Sequence, residues 1–212
     1  MQKHITILAT CAALLAGTAL NAQSLALPKT DAPNFTVSVG PTYMKAKLKI
    51  EGISAKTDLY GTTAAFAWRI DAQNSISADI GFLFGSDKES DMFGSYKDEY
   101  TLVPVMFSYN FSIPFGDNSQ FEARIAPAIG FTYFKDEYTE TYYGYGSDTY
   151  SVNDTALSYG IGLGFAWHIN TKLFLDFSYR YTHTKFKFNE FGYSFDAKAN
   201  AHSLTAAIGF KF

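Results

Sequence analysis

The C-terminal stretch Leu204-Thr205-Ala206-Ala207-Ile208-Gly209-Phe210-Lys211-Phe212 contains the pattern that decides the fold. Large or apolar residues alternate strictly with small or polar ones along it. Successive side chains of a β-strand point to opposite faces of the sheet, so a period of two indicates a strand with one apolar face. The segment is therefore predicted to be a strand, and two of the residues on its apolar face, Phe210 and Phe212, are aromatic.

The same alternation recurs upstream and predicts seven further strands. Their apolar faces begin at Phe35, Tyr60, Ile76, Val103, Phe121, Tyr159 and Leu173. Downstream of residue 22, no apolar run approaches the length of about 20 residues that a membrane-spanning helix requires. The chain is thus expected to be an all-β protein with eight strands.

The faces opposite the aromatic residues distinguish a membrane barrel from a soluble one. They carry mostly Gly, Ala, Ser and Thr, as in Ser158, Gly160, Gly162 and Gly164 opposite Tyr159. The interior of an eight-stranded barrel is only wide enough to be filled by side chains, so small and hydrogen-bonding residues suit it. A soluble lipocalin-like barrel would place its aromatic residues inward and its polar residues outward. The pattern favours an eight-stranded, up-and-down, antiparallel transmembrane β-barrel with a plugged polar interior.

Composition excludes several other classes. The 212 residues include 20 Phe, 15 Tyr and 2 Trp, and none of these precedes Phe35. Disordered chains are poor in aromatic residues. A formal net charge of −3 gives no general electrostatic basis for binding nucleic acid, and no nucleic-acid partner is expected.

The N-terminal segment has the features of an export signal. Lys3 precedes an apolar stretch from Ile5 to Leu20, and Leu20-Asn21-Ala22 resembles a small-x-small cleavage site. We expect a cleaved signal peptide at 1–22, a short N-terminal segment at 23–34 and the barrel at 35–212. Cys11 is the only cysteine, so the mature chain is expected to fold without disulfides.

The connections between the predicted strands alternate in length. Those near 70–75, 112–119 and 169–172 are short, whereas those near 50–57, 86–98, 136–153 and 188–196 are longer and polar. Outer-membrane barrels have short periplasmic turns, longer extracellular loops and girdles of aromatic residues at both interfaces. Trp68 and Trp167 are predicted for the periplasmic girdle. The outer girdle is predicted to contain Tyr43, Tyr60, Tyr133, Tyr159 and Tyr181.

The leader, the eight amphipathic strands and the aromatic C-terminus together resemble the small outer-membrane β-barrel family, of which OmpA- and OmpX-type barrels are familiar members. The resemblance covers about residues 35–212. It implies a bacterial outer-membrane location, contact with outer-membrane lipid and delivery by the barrel assembly machinery. In that family the terminal alternation is an assembly signal, which here corresponds to Leu204, Ile208, Phe210 and Phe212. Barrels of this kind serve as adhesins, anchors, narrow pores and lipid enzymes, so the fold alone does not specify a role. A peptidoglycan-tethering role is not expected.

The inward phase collects charged groups that must pair or meet water, because an isolated buried charge is costly. They are Arg69, Asp79, Glu122, Arg124, His168, Asp176 and Arg180. One interpretation is a structural network that fills the barrel. The other is a narrow conduit for ions or small solutes, although eight strands leave little room for a constitutive pore.

No catalytic, cofactor-binding or metal-binding residue is predicted. Lipid A deacylases are outer-membrane barrels with a Ser–His pair, but His202 and Ser203 are adjacent here and fall on opposite faces. His183 has no nucleophile in the matching position. The acidic residues between Asp87 and Glu99 lack the spacing of an EF-hand, and a solvated acidic loop explains them better than a Ca²⁺ site.

The predicted third outer loop, 136–150, is rich in tyrosine and glycine, a composition favoured in recognition loops. Its candidate contact residues are Tyr138, Tyr142, Tyr143, Tyr145 and Tyr150. The alternative is that the hairpin simply continues beyond the membrane with tyrosines paired across its strands. The sequence therefore predicts a structural or surface-recognition role, in envelope integrity or adhesion to a surface ligand or host partner. A narrow pore is the alternative, and a lipid-modifying enzyme is the third hypothesis.

Overall fold

Eight antiparallel strands follow one another around a closed ring. The computed structural model describes residues 35–50, 53–90, 94–116, 119–142, 146–190 and 193–212. The predicted signal peptide at 1–22, the segment 23–34, Tyr143 and Tyr145 lie outside these residues. The strands are β1 Phe35–Ile50, β2 Ile53–Arg69, β3 Asn74–Ser90, β4 Gly94–Phe115, β5 Phe121–Tyr142, β6 Gly146–His168, β7 Leu173–Glu190 and β8 Tyr193–Lys211. The predicted eight-stranded up-and-down barrel is confirmed.

The barrel closes where its first and last strands pair. Val37 lies opposite Phe210 and Val39 opposite Ile208. Past the end of β8, the N–H of Phe212 donates to the carbonyl of Phe35 at 2.9 Å, and the reciprocal bond measures 3.4 Å. Closure gives every strand two paired neighbours over part of its length, which reduces the hazard of edge-to-edge association. The β2–β3 ladder extends only from Arg69 to Tyr60 and the β6–β7 ladder only from His168 to Ser158, so these four strands continue beyond with one paired neighbour each.

Short turns lie at the end of the barrel where β1 starts and β8 ends, here called the turn end. In the β2–β3 turn, the Asp71 carboxylate accepts 2.8 Å hydrogen bonds from the backbone N–H groups of Gln73 and Asn74. The hydrogen bonds from the Asn74 side chain, together with these backbone bonds, lower the pKa of Asp71. Asn170 caps the β6–β7 turn in the same way. Asx chemistry of this kind fixes tight turns locally.

The opposite end, called the hairpin end, differs from the prediction. The segments predicted to be long polar loops lie at 50–57, 86–98, 136–153 and 188–196, and they are mostly strand. At this end only two or three residues separate the paired strands β1 and β2, β3 and β4, β5 and β6, and β7 and β8. β6 contains 23 residues, whereas a tilted strand needs only about 9–11 to span a bilayer. Polar residues pair across these hairpins as regularly as apolar ones do. The polar composition of these segments therefore led to a loop prediction where the chain forms strands.

An apolar belt surrounds the half of the barrel nearest the turn end, here called the lower half, as the alternation predicted. Its residues include Val39 at 47% exposure, Phe107 at 54%, Ile129 at 56% and Leu204 at 56%. Such a surface is stable in hydrocarbon and unfavourable in water. None of the described residues forms a helix that is long and apolar enough to cross a membrane.

The interior is only partly polar, which corrects the prediction of a polar plug. Towards the hairpin end, the inward positions form an apolar core built on Leu59, Leu83, Phe134, Phe186 and Phe188. The outward positions at the same level include lysines and threonines. The strands have passed the apolar belt there, so their outer face meets water and their inner face supplies a hydrophobic core. The sequence interpretation had applied the pattern of the lower half to whole strands.

Candidate functional site: the closed lumen and the hairpin face

Glu122 is the centre of the charged layer nearest the turn end. Its Oε2 lies 3.0 Å from Nη2 of Arg69 and 3.6 Å from Nε2 of His168. Its Oε1 accepts a 2.8 Å hydrogen bond from the Ser112 hydroxyl. Arg69 reaches Glu122 from β2 to β5, past two intervening strands. Phe174 packs edge-on against His168 at 5.9 Å and helps to fill this end of the lumen.

Two further ion pairs lie deeper in the barrel. Nη2 of Arg124 donates to Oδ2 of Asp176 at 2.7 Å. Arg180 makes a two-pronged contact with Asp79, at 2.6 and 2.8 Å. Asp79 is on β3 and Arg180 on β7, which are opposite each other in a ring of eight. The Arg180 side chain therefore crosses the lumen.

The structure thus brings all seven sequence-predicted interior residues into three ion pairs and one histidine contact. It adds Ser112, which the sequence reasoning missed although its inward phase on β4 could have revealed it. Gly164 also belongs to this network, because a Cβ there would lie only 2.7 Å from Nη2 of Arg124. The missing side chain makes room for the guanidinium.

Hydroxyl groups form the next layer towards the hairpin end. Ser158 bonds to Thr132 and to Thr184, both at 2.6 Å. Thr42 bonds to Thr63 at 2.8 Å and to Thr205 at 2.9 Å. A cavity of about 130 Å³ lies among these groups and the ion pairs, a volume on the scale of a few water molecules.

An apolar cap closes the lumen above the hydroxyl layer. Leu59 and Leu83 are 0% exposed, and Phe186 and Phe188 are 1% exposed. The rings of Phe134, Phe186 and Phe188 lie 5.6 to 5.9 Å apart. The lumen is therefore obstructed twice, by ion pairs in its lower half and by packed side chains near the hairpin end.

The predicted girdle residues lie at the two rims of the apolar belt. Trp68 stacks on Phe35 at the turn end with ring centroids 6.4 Å apart, and Trp167 pairs with Phe121 there. Tyr43 and Tyr60 face each other at 5.2 Å at the other rim. Tyr133, Tyr159 and Tyr181 lie near the same level on β5, β6 and β7. The predicted assembly-signal residues Leu204, Ile208, Phe210 and Phe212 all face outward, each at least 43% exposed.

The histidines at the outer rim contact tyrosine and asparagine. Nδ1 of His202 lies 2.7 Å from the Tyr179 hydroxyl, and Nδ1 of His183 lies 2.8 Å from Oδ1 of Asn200. The Ser203 hydroxyl instead approaches the carbonyl of Arg180 at 3.4 Å. None of the described residues forms a group of three or more His, Cys, Asp or Glu side chains that could hold a metal ion.

One face of the β3–β6 hairpins combines tyrosines and carboxylates. In these ladders it continues the phase that lines the lumen, and among the described residues it carries no lysine or arginine. We call it the acid–tyrosine face; its members are Asp87, Glu89, Tyr96, Asp98, Tyr100, Asp136, Tyr138, Glu140, Tyr142, Asp148, Tyr150 and Asp154.

Tyrosine contacts give this face a defined shape. Tyr96 stacks on Tyr138 at 6.1 Å, and Tyr138 pairs directly with Tyr150 across the β5–β6 ladder. Tyr142 and Tyr150 are 42% and 47% exposed. The described residues among the predicted recognition tyrosines therefore belong to paired strands. The same tyrosines that form cross-strand pairs are the ones predicted to contact a partner.

Electrostatics on the face are shaped by burial and by crowding of like charges. Burial and the neighbouring Asp98 charge raise the pKa of Asp136 to about 6. A hydrogen bond to Glu140 raises the pKa of Tyr142 to about 12. Oδ1 of Asp136 is buried and has no hydrogen-bond partner among the described residues. The face is thus negatively charged and has unused acceptor capacity.

Comparisons with known proteins bear on the fold. Residues 10–212 match the profile of a family described as outer membrane protein beta-barrel domain. The Ail attachment invasion locus protein of Yersinia pestis is 16% identical, with a TM-score of 0.53 over 84% of this chain and 99% of that one. Neisserial surface protein A is 17% identical, with a TM-score of 0.55 over 86% of this chain and 100% of that one. Comparison with the curated proteins gives no match.

Proposed function

The chain belongs to the outer membrane protein β-barrel domain family, and we propose that within this family it is a non-conducting barrel that presents the acid–tyrosine face to a partner outside the cell. In outer-membrane barrels the tight turns that stay close to the membrane are periplasmic, and the segments that project from the membrane are extracellular. The strands of this barrel project beyond the apolar belt at the hairpin end, which is accordingly the extracellular end. Its fold is one that Ail and Neisserial surface protein A share.

The observation that carries the proposal is the length of the β3–β6 hairpins and the regular pairing of their strands. β5 continues from Tyr133 at the outer girdle to Tyr142, which is about 30 Å of extended strand at about 3.4 Å per residue. The membrane does not require this length. Tyrosine supplies a large amphipathic contact surface at low cost in side-chain entropy, and the strand ladder holds these rings in place before any partner binds.

The carboxylates indicate the chemistry of the partner. The acid–tyrosine face contains Asp98, Asp136 and Glu140 without a basic residue in the same phase, whereas the opposite face of β4 and β5 neutralises its charges internally. There Lys97 pairs with Glu99, and Lys135 pairs with Glu137, each at 2.9 Å. A partner with basic or hydrogen-bond-donating groups complements the first face.

The closed lumen supports the non-conducting part of the proposal. The Arg180–Asp79 bridge spans the lumen, and the apolar cap lies above it. A narrow pore would need both obstructions to open. We expect purified barrels in planar bilayers to give no regular unitary currents, and regular currents that change in R180A would contradict the proposal.

Adhesion of expressing cells to a cultured epithelial monolayer tests recognition. The triple variant D98N/D136N/E140Q removes three charges from the acid–tyrosine face and should reduce adhesion. E99Q/E137Q removes carboxylates from the opposite face of the same strands and should leave adhesion unchanged. Deletion of residues 138–149 should also reduce adhesion while the barrel still folds. Equal adhesion of all three variants and the parent, at equal surface levels, would refute the recognition role.

A further inference from the structure

A group of lysines on the outer surface takes no part in the recognition face. Lys47, Lys49, Lys56, Lys185 and Lys198, here called the lysine patch, occupy outward positions on β1, β2, β7 and β8. Lys49 lies directly opposite Lys198, and Lys198 lies directly opposite Lys185. Lys47 lies opposite Lys56 on the other side of β1. The patch is therefore a cationic surface across four neighbouring strands, bordered by the outward carboxylates of Asp58 and Asp196, which lie opposite Lys45 and Lys187.

This arrangement has a cost that needs a counter-charge. Like charges directly opposite in a sheet are destabilising. None of the five ammonium groups lies within 4.0 Å of a carboxylate among the described residues, whereas Lys97 and Lys135 across the barrel each have a glutamate partner. The patch is exposed except at Lys47, which is half-buried. An external anion would relieve the repulsion.

The patch lies just above the outer aromatic girdle. On β1, Lys47 follows girdle residue Tyr43 by four positions, about 14 Å along the strand. The girdle places aromatic rings at the level of the lipid headgroups, and a lysine side chain can extend its ammonium group towards that level. Basic clusters at this height attract anionic headgroups with about 1 kcal/mol per residue.

A groove in the apolar belt lies on the turn-end side of the lysine patch and is lined by the same four strands and by β6. Pro41 and Ala206 form its shallow floor, and Tyr43, Tyr60, Tyr179 and Leu204 stand around it. A second groove, with Ala78 and Pro127 in its floor, lies on the other side of the barrel towards the turn end. The lysine patch adjoins only the first groove. An apolar slot and a cationic surface are thus aligned along the membrane normal.

We propose that the lysine patch and the groove beneath it bind one phosphate-bearing lipid of the outer leaflet, with its phosphate on the lysines and an acyl chain over Pro41 and Ala206. Neither partner recognition at the hairpins nor closure of the lumen requires this site, so it goes beyond the proposed function. It would fix the rotational orientation of the barrel relative to its lipid neighbours.

Lipid retention provides the test. The barrel is reconstituted into phosphatidylcholine vesicles that contain a minor fraction of diphosphoryl lipid A, then extracted in mild detergent. The lipid A carried by each barrel is measured by mass spectrometry. The parent protein should retain lipid A well above its fraction in the vesicle. K49Q/K185Q/K198Q should lower the retention by about tenfold or more, and raised salt should lower that of the parent.

The opposite side of the barrel supplies matched controls. K88Q/K97Q/K135Q removes the same number of lysines from the outward phase of β3, β4 and β5, and should retain lipid A like the parent. A206F fills the groove below the patch and should reduce retention, whereas A78F fills the second groove and should not. Each variant faces outward, and its folding is checked by heat-modifiable mobility in gel electrophoresis.

Several outcomes would overturn the proposal. Equal retention by the two lysine variants would exclude the lysine patch from lipid binding. Unchanged retention in A206F would exclude the groove from lipid binding. Displacement of lipid A by inorganic phosphate at equal concentration would show a site for phosphate itself, without a lipid requirement. Loss of binding to a soluble sulfated oligosaccharide in the patch variant, with lipid retention intact, would assign the surface to a polysaccharide.

Discussion

Replacing Arg180 by alanine is expected to destabilise the barrel by about 3–5 kcal/mol, because the Asp79 carboxylate then remains buried without its partner. The two side chains meet through bonds of 2.6 and 2.8 Å, and their exposures are 24% for Arg180 and 6% for Asp79. Arg124 also interacts electrostatically with Asp79. That second cation places the expected loss near the lower end of the range.

An apolar replacement of both residues separates the strength of the pair from the cost of breaking it. D79A alone should be about as damaging as R180A, since it leaves a guanidinium unpaired in the lumen. The double variant D79L/R180M replaces both charges by apolar groups and should lie within about 1 kcal/mol of the parent, because buried ion pairs often gain little over a packed apolar pair.

Urea unfolding in phospholipid vesicles, followed by the fluorescence of Trp68 and Trp167, gives the free energies. The exposed Lys45–Asp58 pair is the control: its atoms are 3.9 Å apart and its side chains are 55% and 48% exposed. K45A should cost less than about 1 kcal/mol. A loss below about 1 kcal/mol in R180A, or a double variant as unstable as the sum of the single ones, would refute a stabilising bridge across the lumen.

Three further predictions concern the cap, the network and the hairpins. Phe186→Ala should lower the free energy of unfolding by about 3–5 kcal/mol through the cavity it leaves, and a loss near zero would contradict a packed cap. Gly164→Ala should displace Arg124 and lower the urea midpoint, whereas Gly162→Ala, whose nearest neighbours lie at 3.5 Å, should not. The raised pKa of Asp136, about 6 against 3.8, means that the folded hairpin binds more protons in that interval. Its stability should therefore fall as pH rises from about 4 to about 6 and then level off. Asp136→Asn should reduce this slope in amide hydrogen exchange of β4 and β5 and leave the contribution of Asp98, whose pKa is also raised by burial; an unchanged slope would contradict the assignment to Asp136.

The sequence predicted the barrel because alternation is a direct consequence of strand geometry. Phe177, Tyr179 and Tyr181 share a phase, and the structure puts them outward on β7. The same phase argument collected Arg69, Glu122 and the other inward charges, yet it did not predict which of them pair. Pairing between Asp79 and Arg180 depends on where β3 and β7 lie around the closed ring, which is a property of strand order and tilt and is invisible in either strand alone.

The sequence did not predict the apolar cap, although its signal is present in β7. Phe186 and Phe188 fall in the inward phase, and Lys185 and Lys187 fall in the outward phase. This is the reverse of the pattern around Phe177, where the outward residue is aromatic and the next inward residue is polar. The prediction treated the aromatic face as the lipid-facing one along the whole strand. It therefore placed polar residues in the part of the interior near the hairpin end, where the structure has aromatic ones.

The reversal occurs without any shift in strand register, since the β7–β8 ladder runs unbroken from Leu173 to Glu190. What changes is the medium on each side of the sheet. Below the outer girdle the outside is hydrocarbon, so apolar residues face out and the lumen holds ion pairs. Above it the outside is water, so lysines face out and the lumen holds packed rings, as in a soluble barrel. The point at which alternation inverts its polarity thus marks the membrane boundary in the sequence. The two obstructions of the lumen follow from the same change, because each half of the barrel fills its interior with the side chains that its outer face does not use.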